Sequence, residues 1–286
     1  MRSVFLHGFR IGMRQWRITA IVYFLQLCLA LTLGMQVYDV LQASIGHSLE
    51  INKLLLHYDH TVITDFLKVH GASITPLIGQ LRWLLLVWLL FSVFTDGGLL
   101  YCATMPQQAT VRSFWQGGAT YFTSFLKISL FFLTLALLWT IVTLLPIALY
   151  FEPSIEVFPS EKYSVWLAFF LLALWLKGLA ILFVWSVLSR WQRIQTEASI
   201  MACIRKAGLV LLRNKLRFIG LMAGFALFQL LLVAVYFVVE AYTGMVSPWY
   251  ILLVFLIQQA FVFFRIQIRQ MMYAAIGQVA GSGNIV

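Results

Sequence analysis

Six apolar runs, at about 18–37, 83–104, 128–150, 164–188, 218–239 and 249–264, constrain this chain more than any other feature. A helix rises about 1.5 Å per residue, so most of these runs are long enough to cross a hydrocarbon layer about 30 Å thick. Hydrophobic residues make up 62% of the 286 positions and charged ones 10%. A soluble domain cannot bury that proportion of apolar surface, so the sequence predicts an integral membrane protein. No alternating ten-residue pattern occurs, which makes the spans helices rather than barrel strands. The expectation is a single all-α transmembrane domain over 1–286. The sixth run is short, and its helix is expected to continue to about Gln278 as an amphipathic tail. The first run follows Arg2, Arg10, Arg14 and Arg17 without a small-residue cleavage site, and reads as a retained helix.

Charge orients the bundle. Arg112 and Lys127 lie between the second and third runs, seven basic residues lie between the fourth and fifth, and Arg265 and Arg269 follow the sixth. With the four leading arginines, that side holds fifteen basic residues against one acid, Glu197. The other side holds Lys53, Lys68, Arg82 and Lys162 against eight acids. The positive-inside rule then puts both termini in the cytoplasm of a bacterial inner membrane protein. The net charge of +10 is read as a membrane-surface property, with no nucleic acid implied. The densest basic group is Arg205, Lys206, Arg213, Lys215 and Arg217, the expected contacts for anionic headgroups of the cytoplasmic leaflet.

A stretch of similar character precedes each outward-going run: "SVFLHGFRIGMRQWR", "SFWQGGATYFTSFLK" and "CIRKAGLVLLRNKLR". In each, a glycine (Gly8, Gly118, Gly208) falls nine positions before the closing basic residue (Arg17, Lys127, Arg217). This reads as three units, each an interfacial amphipathic helix followed by an out-and-back hairpin. The arrangement, with the closing "LLVFLIQQAFVFFRIQIRQMMYAA", resembles several families of six-helix bacterial inner-membrane proteins. One is the membrane domain that precedes some glycerophosphodiester phosphodiesterases. The resemblance implies cytoplasmic elbow helices leading into six spans, and no particular chemistry.

Charges inside the runs are rare, and a charge near the bilayer midplane is costly. Lys177 lies thirteen residues into the fourth run, and Asp96 thirteen residues into the second, which runs in the same direction. Equal depth predicts an intramembrane ion pair, since an isolated ion there would be neutralised or expelled. Gly97 and Gly98 allow close approach of a neighbouring backbone. Gln26, Thr134, Thr140, Thr143, Gln229, Gln258 and Gln259 are further polar groups inside runs, and together they suggest a polar seam.

The outer segment 38–79 is expected to carry one or two amphipathic helices on the membrane surface. It holds His47, His57, His60 and His70, but at spacings that match no metal motif, so no metal site is expected. No histidine lies in a run, which argues against an intramembrane haem, and no cofactor is expected. Cys28, Cys102 and Cys203 read as small apolar residues. No phosphate loop, nucleophile elbow or paired-carboxylate site appears, so no enzyme is expected. The first expectation is a non-enzymatic integral subunit or scaffold that packs against other membrane proteins, or itself, and anionic lipid. The alternative is a small transporter or lipid-handling permease whose path follows the polar seam around Lys177 and Asp96.

Overall fold

All six runs are helical, and most of the helices extend well beyond them. The computed structural model describes residues 2–45, 60–157, 161–196, 198–242 and 248–282. Within these lie eight α-helices and no strands: α1 (Arg2–Arg14), α2 (Trp16–Ile45), α3 (His60–Thr104), α4 (Val111–Val157), α5 (Glu161–Gln195), α6 (Ile200–Arg213), α7 (Lys215–Tyr242) and α8 (Pro248–Ser282). Six of them, α2, α3, α4, α5, α7 and α8, are long and apolar enough to cross a membrane. The chain is a multi-pass membrane protein.

Local signals explain several helix boundaries. Thr110 Oγ1 accepts from the Ser113 amide at 3.2 Å and Ser113 Oγ accepts from the Thr110 amide at 2.7 Å, a reciprocal cap that starts α4. Ser199 caps α6 through the Ala202 amide. Pro248 starts α8, where its missing N–H costs nothing.

The three elbows differ from one another. A one-residue break at Gln15 separates α1 from α2, and another at Asn214 separates α6 from α7. In the middle unit there is no break. The elbow and span form the single 47-residue helix α4, about 70 Å long. The outer segment differs too. The helix that begins at His60 runs without interruption into the second span, so 60–79 does not form a separate surface helix. His47 and His57 lie outside the described residues.

Buried residues gather at the end of the bundle that carries Arg10, Arg14, Arg205 and Arg213, here called the basic end. Ile18 and Val22 start α2 there, Leu99, Leu100 and Cys102 end α3, and Val187 and Leu188 lie near the end of α5. The C-terminal part of α8 is the most buried segment of all, including Gln267, Gln270, Tyr273, Ala275, Ile276 and Ala280. The sequence suggested an amphipathic tail at this point, but the structure makes it the central helix of the basic end. Two of its glutamines, Gln267 and Gln270, are bonded to protein. Gln270 Nε2 donates to Gln15 Oε1, Thr19 Oγ1 donates to Gln270 Oε1 at 2.8 Å, and Gln15 Nε2 donates to the Cys102 carbonyl at 3.0 Å. Cys102 belongs to the last turn of α3, whose carbonyls have no partner in their own helix. Away from the basic end, Trp83, Val142, Phe169, Phe237 and Trp249 are exposed, as suits surfaces that face lipid.

The recurring glycines share one packing rule. A Cβ on Gly8 would come within 2.6 Å of the Met271 carbonyl oxygen on α8. One on Gly118 would meet the Phe94 ring on α3 at 2.8 Å, and one on Gly208 would meet Trp185 on α5 at 3.3 Å. Each elbow therefore packs closely on a helix running toward the basic end, and the first elbow closes the circle by packing on the last helix. Gly97 takes part as expected, since a Cβ there would lie 3.3 Å from Gly118 Cα.

Candidate ligand groove and its polar base

The three helices that run toward the basic end, α3, α5 and α8, touch one another and each contributes to one charged cluster. Arg190 of α5 donates through Nη1 to Asp96 Oδ2 of α3 at 2.8 Å. From α8, the Tyr273 hydroxyl donates to Asp96 Oδ1 at 3.0 Å, and Arg269 Nη1 lies 3.5 Å from the same oxygen. Arg190 Nη2 reaches Ser129 Oγ of α4 at 3.1 Å, and its guanidinium lies 5.8 Å from the centre of the Phe125 ring. The Asp96 and Arg190 side chains are 14% and 12% exposed, so the pair is largely shielded from screening. One carboxylate faces two guanidinium groups, which leaves an excess of positive charge. Arg269 Nε and Nη2 are buried without a hydrogen-bond partner among the described residues.

This arrangement corrects the expected ion pair. Lys177 does not meet Asp96 and sits exposed on α5. It precedes Arg190 by thirteen residues, about 20 Å along the helix. The second run ends where expected, since α3 stops at Thr104, but α5 runs to Gln195, seven residues past the expected 188, and it is Arg190 in this extension that reaches Asp96.

Above the cluster, a cavity of about 920 Å³ lies mainly between α2, α3, α7 and α8. Leu33, Leu84, Trp88 and Phe225 are among its mostly apolar lining residues. Gln26, Gln229 and Gln259 add polar groups, and Arg265 and Arg269 lie toward the basic end. Gln259 accepts from the Tyr23 hydroxyl at 2.8 Å. Gln259 and Arg269 are ten residues apart on α8, about 15 Å. The groove is therefore amphipathic along its length, with cations at one end and a long apolar wall.

The polar seam expected from the sequence is divided between different places. Gln26, Gln229 and Gln259 line the groove. Gln258 instead donates to the Tyr236 hydroxyl at 3.0 Å, joining α8 to α7. Thr140 accepts from Trp175 Nε1 at 3.0 Å between α4 and α5. Arg205, Lys206, Arg213, Lys215 and Arg217 are all exposed on α6 and the start of α7. Of the cysteines, Cys102 and Cys203 are buried and Cys28 is exposed.

Sequence reasoning assigned no site role to Arg190, Arg265, Arg269 or Tyr273. By sequence, Arg190 reads as a loop charge and Arg265 and Arg269 as charges on the amphipathic tail, all three serving only to set orientation. One signal was available: Arg265, Arg269 and Tyr273 recur every fourth residue, the spacing of a single helix stripe. Compared with protein-family models, curated proteins and solved structures, the chain gives no match.

Proposed function

We propose that this protein is a non-enzymatic, lipid-handling protein of the bacterial inner membrane, with both termini in the cytoplasm. It takes an anionic amphiphile, of the acidic phospholipid class, into the groove between α2, α3, α7 and α8. The observation that carries this reading is the pairing of a long apolar wall with Arg265 and Arg269 at the end of the bundle richest in basic residues. A phosphate group there would find an excess of cationic charge from Arg265 and Arg269. Acyl chains would replace empty space along Leu33, Leu84, Trp88 and Phe225, and the open side of the groove would admit them from the bilayer. The exposed basic residues of α6 and α7 supply a second, looser attraction to the same leaflet, at up to about 1 kcal/mol for each residue close to the surface.

Native mass spectrometry of the protein released from detergent tests this. Wild type should retain phosphatidylglycerol in preference to phosphatidylethanolamine. Ala226→Trp, which adds an indole where Ala226 lines the groove, should lose the retained lipid without losing its fold. Equal retention of both lipids, or unchanged retention in Ala226→Trp, would rule the groove out.

A second reading, an integral subunit that packs against another membrane protein, is favoured by a different observation: α5 presents a charge on an exposed apolar face.

A further inference from the structure

Lys177 poses a separate problem. It lies about 20 Å from Arg190 along α5, and twelve residues, about 18 Å, from Val165, where the apolar segment begins. A lysine stem is much shorter than either distance, so the ammonium cannot snorkel to a membrane surface. The residue is exposed, and so are Phe170, Ala173, Leu174, Ala180 and Ile181, which occupy the turns around it on the same face. Among the described residues no carboxylate lies within ion-pair distance of Lys177. An ammonium directed at hydrocarbon is costly, and intramembrane charges generally face protein and are paired.

We infer that this face of α5 docks a transmembrane helix of a different protein, one that carries an aspartate or glutamate near the bilayer midplane. Charge complementarity identifies the occupant. A second copy of this chain could not supply the carboxylate. Asp96 is its only acid deep within an apolar run, and Arg190, Arg269 and Tyr273 already engage it. Ala173 and Ala180 flank Lys177 by about one turn on each side, so a partner backbone can come close enough for the two charged groups to meet. This inference deepens the subunit reading and is independent of the lipid groove.

The probe is a synthetic leucine–alanine transmembrane helix with one central glutamate, compared with the same helix carrying leucine at that position. The labelled full-length protein is reconstituted into phosphatidylcholine vesicles and association is measured by energy transfer. The glutamate helix should bind at least tenfold more tightly than the leucine helix, and Lys177→Leu should abolish that preference. Lys177→Glu should reverse it, preferring a helix with central lysine. Lys177 is exposed, and energy transfer between the termini and α5 in the same vesicles would verify that each variant keeps its fold. Equal binding of the two helices to the wild type would overturn the inference. So would a glutamate preference that survives Lys177→Leu, because another cation would then be responsible. Self-association of the protein lost in Lys177→Leu and unaffected by the glutamate helix would overturn it in favour of a second copy.

Discussion

Arg190 and Asp96, ninety-four residues apart in sequence, form a 2.8 Å charge-assisted hydrogen bond that ties α5 to α3. Arg269 and Tyr273 draw α8 to the same carboxylate. The three helices that return to the basic end are thus joined at one point, directly below the groove. The cluster both holds the bundle together and sets the charge of the groove's inner end.

Removing the carboxylate should be the most damaging change in the cluster. Asp96→Asn leaves two guanidinium groups facing each other and should cost about 3–5 kcal/mol by analogy with soluble buried pairs. Arg190→Met leaves Asp96 with Arg269 and should cost less. The double variant should recover part of the loss, with a coupling of at least about 1 kcal/mol. Lys177→Met breaks no ion pair among the described residues and removes a charge from an apolar face, so it should not lower stability. Thermal unfolding in detergent measures all four. Strictly additive losses for Asp96 and Arg190 would mean that the pair contributes nothing.

Glycine substitutions separate close packing from open surface. Gly8→Val places carbon against the backbone oxygen of Met271, which cannot move aside without shifting α8. Overpacking of this kind costs about 1–3 kcal/mol. Gly34, also in a helix, has nothing within 4 Å of an added Cβ, so Gly34→Ala should be neutral or gain up to about 1 kcal/mol in helix propensity. Similar melting temperatures for the two variants would refute the close contact between α1 and α8.

Orientation has its own test. A green fluorescent protein fused after Val286 should fluoresce, and alkaline phosphatase at the same position should be inactive. Phosphatase fused within 46–59 should be active. The opposite pattern would place Arg265 and Arg269 at the outer leaflet and reverse the leaflet of the proposed lipid.

The spans were legible because unbroken apolar runs have few alternative structures. Asp96 was legible as an anomaly, and Gly8, Gly118 and Gly208 as a recurrence. What these residues touch was not legible. The fourth run was bounded at 188, yet α5 continues to Gln195, so Arg190 looked like a loop charge although it lies within a helix. Lys177 and Asp96 were matched by depth, but depth says nothing about which face of a helix a residue occupies. The groove was hidden for another reason. Its walls come from α2, α3, α7 and α8, and no local pattern reports which distant helices will be neighbours.

Photocrosslinking with an acidic phospholipid tests the groove most directly. Phosphatidylglycerol carrying a diazirine in its acyl chain would be reconstituted with the wild-type protein, irradiated, and the adducts mapped by peptide mass spectrometry. The account predicts adducts concentrated on groove-lining residues such as Leu33, Leu84, Trp88 and Phe225, reduced in Ala226→Trp and in the Arg265→Gln/Arg269→Gln double variant. The zwitterionic analogue should label these positions only weakly. Adducts spread over exposed faces such as Phe169, Val142 and Phe237, with no enrichment in the groove and no preference for the acidic headgroup, would contradict it.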